Sequence, residues 1–166
     1  MMFDPTTLTG IHTLLSLVAM GTGILAVLAL LGPRVPKIWT HLFLATAVAT
    51  SATGFVFPAT GVLREHVIGA VALVVLAMVI VARFVTHLAG AWRWIYAVGV
   101  VASVYLLFFV AIAQAFRKVP ALKAMAPTGS EPPLAIAQVV ALVIFIGLGV
   151  AATRLFGHGG AAASRA

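Results

Sequence analysis

The chain reads as an all-α polytopic membrane protein, a bundle of five transmembrane helices. Three observations predict this. Of its 166 residues, 63% are hydrophobic and 8% are charged, against roughly a quarter charged in a soluble domain. Stretches free of Asp, Glu, Lys and Arg run over 5–33, 38–63, 66–82, 94–116 and 132–153, and about 20 apolar residues carry a helix across roughly 30 Å of hydrocarbon. The few charges fall between these stretches and segregate by side.

The first helix is expected over 9–31. Its leading segment "MMFDPTTLTG" has an acid and no Lys or Arg, the reverse of a cleavable signal, so the span is expected to be retained. "LGPRVPK" (31–37) breaks it with Gly and two prolines, and the second helix follows over 38–57. "PATG" (58–61) leads into the third, over 65–88, whose apolar run is short unless Arg83 snorkels to the interface. "LAGAW" (88–92) separates it from the fourth, over 93–116. The long connection "RKVPALKAMAPTGSEPP" (117–133) has room for one short interfacial turn at "ALKAMA". Ser130 is placed to cap the fifth helix, over 134–156, with Glu131 and two prolines in its first turn. The chain is thus one helical domain, 1–157, with a tail, 158–166, expected to be disordered.

Helix parity puts Asp4, Arg64, Glu65, Arg117, Lys118, Lys123 and Glu131 on one side, and Arg34, Lys37, Arg83, Arg93, Arg154 and Arg165 on the other. Lys and Arg concentrate on the cytoplasmic side of a membrane, and Trp marks its interfaces. The second side carries more basic residues, no acid, and all three tryptophans, Trp39, Trp92 and Trp94. It is therefore expected in the cytoplasm with the carboxyl terminus, and the amino terminus outside. The basic residues flank apolar runs and form no patch, so the first partner is the lipid bilayer and no nucleic acid is expected.

Small and polar residues spaced three and four apart mark the faces expected to look inward. In the second helix these are Ala45, Ala49 and Ala52, with Thr46, Thr50 and Thr53 beside them, and His41 projects onto the alanine stripe. His12 lies over Ser16, Ala19 and Gly23; His66 lies over Gly69, Ala70 and Ala77; Gln114 shares a stripe with Gly99, Ser103, Leu107 and Val110. Such stripes also permit a homo-oligomer or a heterologous membrane subunit as partner.

Polar groups inside a membrane are costly and mark candidate sites. His12, His66, Glu65, Gln114 and Gln138 belong to the outer side and are the candidate ligand-binding residues of an outward polar pocket. Imidazoles with a carboxylate suit a divalent metal or a proton relay. Two histidines at one depth are what bis-imidazole ligation of haem b needs, and both His12 with His66 and His41 with His87 meet that condition. Arg83 and Arg93, with His87 between them, form a candidate anionic-headgroup site on the cytoplasmic side. The absence of cysteine removes disulfides, thiolate metal sites and cysteine nucleophiles. No phosphate loop, dinucleotide fingerprint, HExxH or nucleophile elbow is present, and no catalytic residue is assigned.

"IHTLLSLVAMGTGILAVLALLG", "KIWTHLFLATAVATSATGFVF" and "EHVIGAVALVVLAMVIVARF" resemble a widespread group of small bacterial integral membrane proteins of unknown function. In that group a histidine opens each of the first three helices, here His12, His41 and His66, and Gly21, Gly23 and Lys37 also match. Leu42 stands where the group has an arginine. The resemblance covers about 15–90 and implies a bacterial inner-membrane protein without an established activity. Membrane b-type cytochromes share histidines on successive helices more loosely. Together these readings predict a binding or accessory subunit, with a b-type haem redox protein and a small transporter or proton relay as alternatives.

Overall fold

The structure is a computed structural model. It describes residues 7–32, 36, 38–56 and 63–163, with side chains throughout except at 63–65 and 157–163. Asp4, Arg34, Lys37 and Arg165 lie outside the described residues, and the side chains of Arg64 and Glu65 are likewise outside the description.

The described elements are all helical: α1 (Leu8–Leu31), α2 (Ile38–Gly54), α3 (Leu63–Ile80) closing in a π-helical turn (Val81–Val85), α4 (Trp92–Lys118), α5 (Pro120–Met125) and α6 (Pro132–Ala163). Four of them, over Leu8–Leu31, His66–Val85, Trp92–Lys118 and Pro132–Phe156, are long and apolar enough to cross a membrane. The chain is a multi-pass membrane protein. Consistently, large apolar side chains cover its outside, including Val67, Val71 and Val74 on α3 and Ile136, Val139, Val143 and Ile146 on α6. In water such a surface is an aggregation liability, whereas a bilayer solvates it.

Local chemistry sets the ends. Thr7 caps α1, its Oγ1 accepting from the Gly10 amide at 3.1 Å. Pro120 opens the short helix α5, where an interfacial turn was expected. The expected capping of α6 by Ser130 is corrected: its hydroxyl pairs with Thr128 Oγ1 at 2.7 Å, and α6 begins at Pro132. Glu131 orders this connection instead, its carboxylate accepting from the Thr128 amide at 2.9 Å, the Ser130 amide at 3.0 Å and the Thr128 hydroxyl at 2.8 Å. The amide of Thr128 foremost, with the other donors, holds the Glu131 carboxyl down to about 2. The backbone of α6 is helical through Ala163, past the expected end of the span at 156.

α2 runs antiparallel to both neighbours, its end meeting the start of α1 and its start the end of α3, and α1 touches α4 where Gly23 faces Val104. Van der Waals packing holds helices together in lipid, so close backbone approach matters. Two glycines make it. A Cβ at Gly23 of α1 would stand 2.9 Å from Val104 of α4 and 3.1 Å from the Phe43 ring of α2. At Gly99 of α4 it would stand 2.5 Å from Val79 of α3. Around them Phe43, Leu76, Val79, Val100 and Val104 are buried and fill the interior.

The faces of α1 and α4 are those expected. Ala19 and Gly23 are buried on α1, as are Gly99 and Ser103 on α4. The face of α2 is not. Its buried residues are Thr40, Phe43, Leu44, Ala47 and Thr50, while His41, Ala45 and Ala52 are exposed. The buried face of α2 is turned well away from the alanine stripe, because Gly23 supplies the close approach to α1 and accepts the large Phe43 ring. On α3, Ala70 and Ala77 are likewise exposed, and Leu76, Val79 and Ala82 are buried. Thr46 and Thr53 donate to their own backbone, at Leu42 O (2.7 Å) and Ala49 O (2.8 Å), and Thr53 also pairs with His12 of α1.

The glycine contacts make a prediction. Gly99→Val drives a branched side chain into the buried, stiff Val79 and is expected to destabilise the bundle by about 1–3 kcal/mol. Gly147→Val, at a position with nothing within 4 Å, is expected to be near neutral. Thermal unfolding of the two variants in detergent measures the difference.

Candidate functional site

Polar side chains gather at the two ends of the bundle, and contacts between helices show which belong together. At one end His12 of α1 meets the last turn of α2. Its Nδ1 lies 2.9 Å from Thr53 Oγ1, and a Cβ at Gly54 would stand 3.7 Å from its Cε1. The Thr53 hydroxyl already donates to Ala49 O, so His12 Nδ1–H is the donor of this pair. His66 of α3 sits edge-on to Phe55, ring centroids 5.5 Å apart. Gln138 of α6 donates to Phe109 O of α4 at 2.9 Å, while its Oε1 is buried with no partner among the described residues. Gln114 is half-buried near the end of α4. These residues share one end, as parity required, but His12 and Gln138 are engaged in joining helices. Glu65, the carboxylate of the expected pocket, has its side chain outside the description.

Two open grooves lie at the opposite end, where α2 begins and α3 finishes. One, of about 420 Å³, is lined by His41, Leu44, Ala45, Val48, Ile80 and Phe84. The other, of about 350 Å³, is lined by His41, Arg83, Phe84 and His87. They meet at His41 and Phe84, whose rings lie 5.7 Å apart and tilted by 31°. Together they form one cleft, apolar along α2 and α3 and basic at its end. The displaced register of α2 creates it: the rotation that buries Phe43 turns His41 and Ala45 outward.

The backbone here is unusual. The π-helical turn Val81–Val85 ends with Thr86 N bonding Val81 O at 3.0 Å and Leu88 N bonding Ala82 O at 2.9 Å. His87 (φ 52°) and Leu88 (φ 62°) are left-handed although neither is glycine. Each such residue costs roughly 1–2 kcal/mol. Leu88 packs against the buried core, which draws the chain inward and leaves His87 exposed at the rim. Single π turns and left-handed residues cluster at functional sites.

Behind the cleft, the Tyr96 hydroxyl of α4 is directed at the Thr40 side chain of α2. Tyr96 and Thr40 are both buried. Arg93 points elsewhere: its guanidinium lies over the Phe156 ring, 5.3 Å from the centroid, and its Nε is buried with no partner among the described residues. Of the two arginines paired in the expected headgroup site, only Arg83 lines the cleft. Of the two histidine pairs weighed for haem, only His41 and His87 border these grooves. Among the described residues, no three of His, Asp and Glu come together as a metal ion would need.

The aromatic wall Phe84 and the buried pair Thr40–Tyr96 had no signal in the sequence. The basic end did, since Arg83 and His87 lie four apart and His41 starts the antiparallel neighbour. Comparison with protein families, curated proteins and solved structures finds no match to this chain. The resemblance of the first three helices therefore rests on their histidine and glycine pattern alone.

A double-mutant cycle tests the helix-joining role of His12. His12→Ala and Thr53→Val are expected to be coupled by about 0.6–1.7 kcal/mol, the range for hydrogen bonds between membrane helices. Unfolding of the four proteins in mixed micelles measures the coupling, and additive effects would refute the bond.

Proposed function

We propose that the chain is a five-span bacterial inner-membrane protein that serves as a binding or accessory subunit, working through the cleft between α2 and α3. Its amino terminus is outside and its carboxyl terminus in the cytoplasm. The closed interior carries this reading. Phe43, Val79, Val100 and Val104 are buried around Gly23 and Gly99, so the middle of the bundle is a packed core and the open space lies at its lipid-facing side.

Two contacts support α2 as the fifth span. It has 17 residues, about 25 Å at 1.5 Å per residue, a little short of the hydrocarbon thickness. Yet its end meets the start of α1 through Thr53 and His12, and its start meets the end of α3 through His41 and Phe84. It therefore runs the same depth as its neighbours. A small shortfall is accommodated by local thinning of the bilayer at modest cost.

A second reading, a proton relay, is favoured by two buried hydroxyls that have no hydrogen-bond partner among the described residues, Thr50 Oγ1 and Ser103 Oγ. The two readings separate in vesicles. Proteoliposomes are expected to hold a pH gradient as long as protein-free vesicles. Faster dissipation that is slowed by Ser103→Ala would support the relay and refute the accessory role.

Topology has its own test. With five spans, a periplasm-dependent phosphatase is active at the amino terminus behind an export-competent fusion and inactive at the carboxyl terminus. Equal activity at both ends would reduce the count to four.

A further inference from the structure

We infer that the cleft between α2 and α3 binds an anionic membrane lipid, with its phosphate held by His41, Arg83 and His87. The inference rests on the cleft being the working site proposed above and names its ligand class.

Charge makes the first argument. Arg83 is permanently cationic, and it stands at an end of the bundle to which the sequence brings no acidic side chain. The three acids are Asp4, Glu65 and Glu131. Glu65 lies in the first turn of α3, at the far end of that helix, and Glu131 lies next to α6 on the same far side. Asp4 precedes α1, whose start faces the end of α2. Among the described residues no acidic side chain stands beside Arg83, so an external anion is a suitable counter-charge for it near a low-dielectric medium. Guanidinium and imidazolium are the donors that match phosphate oxygens.

Shape makes the second. The cleft continues from its basic end along an apolar wall formed by Ala45, Val48 and Ile80. A free phosphate has no use for this wall, and an acyl chain does. The ligand is thus one molecule with a charged head and a hydrocarbon tail, arriving sideways from the bilayer. Phe84, stacked near His41, stands where head meets tail.

Backbone strain makes the third. The left-handed His87 brings a second imidazole to the rim beside Arg83, at a cost that a simple helix stop could avoid with glycine.

The test uses the purified full chain in neutral detergent, offered equimolar phosphatidylglycerol and phosphatidylcholine, with bound lipid counted by native mass spectrometry. Wild type is expected to retain phosphatidylglycerol about tenfold over phosphatidylcholine, a preference of the size that one or two basic residues give. Arg83→Gln and His87→Gln are each expected to remove most of that preference, and Lys123→Gln, on α5, to leave it. Ala45→Phe, which fills the apolar wall from an exposed position, is expected to remove both lipids. Circular dichroism confirms that each variant is folded.

Equal retention of the two lipids in wild type, still lost in Ala45→Phe, would overturn the anionic ligand while keeping the cleft. A preference untouched by Arg83→Gln, His87→Gln and Ala45→Phe would overturn both. Displacement of phosphatidylglycerol by millimolar inorganic phosphate would overturn the lipid in favour of a free anion.

Discussion

The close approach of α1, α2 and α4 at Gly23 is the contact on which the arrangement of this molecule depends. Lipid tails are as apolar as leucine, so burial alone gives membrane helices little reason to associate. What distinguishes one packing from another is how near two backbones come and how completely the gap is filled. Gly23 leaves room on α1, Phe43 fills it from α2, and Val104 closes it from α4. Gly99 does the same for Val79 on the other side of α4. These contacts fix the rotation of α2, and the rotation decides what α2 shows to the bilayer. The cleft is a by-product of that choice: with Phe43 inward, His41 and Ala45 face out.

A second constraint keeps polar chemistry away from the middle. Within hydrocarbon, hydroxyls need a partner, and the nearest is a carbonyl of their own helix. Thr22 (to Val18 O, 2.7 Å), Thr46 and Thr53 all take this route. Of these three, Thr53 also reaches across a helix boundary, at the level where His12 meets it. Imidazoles, amides and guanidinium groups therefore belong near the ends, where water and headgroups help to satisfy them. The two ends differ in kind. One ties helices together through His12–Thr53 and Gln138–Phe109, and the other leaves Arg83, His41 and His87 along an open groove.

The all-α class and four long apolar helices were legible in the chain, because each break needs either charges or Pro and Gly. The inward faces of α1 and α4 were legible too, since glycine and small polar residues there mark real contacts. On α2 the same rule failed, and the buried face lies well away from the alanine stripe. Small residues on a helix mark close approach only if the neighbour is not already the small partner, and here Gly23 is. No pattern in one helix reveals that. The π-helical turn was invisible for a similar reason. Residues 81–85, Val-Ala-Arg-Phe-Val, are ordinary for a helix, and what ends it there is the packing of Leu88 on the core. Of the candidate site, Arg83, His41 and His87 could be placed at one end by parity. Their union with an apolar wall could not, because it depends on the rotation of α2.

The end of α3 is built more elaborately than anchoring a helix end requires. A helix that only had to stop could end on a left-handed glycine, and Gly90 takes such a conformation three residues beyond His87. The chain instead places His87 and Leu88 in left-handed geometry, at roughly 1–2 kcal/mol each, and Leu88 offsets part of this by packing inward. Anchoring explains neither residue, because Arg83, Trp92 and Trp94 already sit at this level and suffice to hold a helix end at an interface. What the strained pair achieves is geometric: Leu88 locks the turn while His87 is turned to the rim beside Arg83. An unstrained α-helical continuation would carry His87 onto a regular helical face and would not require the wide turn that presents Arg83 and Phe84 together. The strain, the missing acid and the outward face of α2 are three independent features of the chain, and they converge on one cleft.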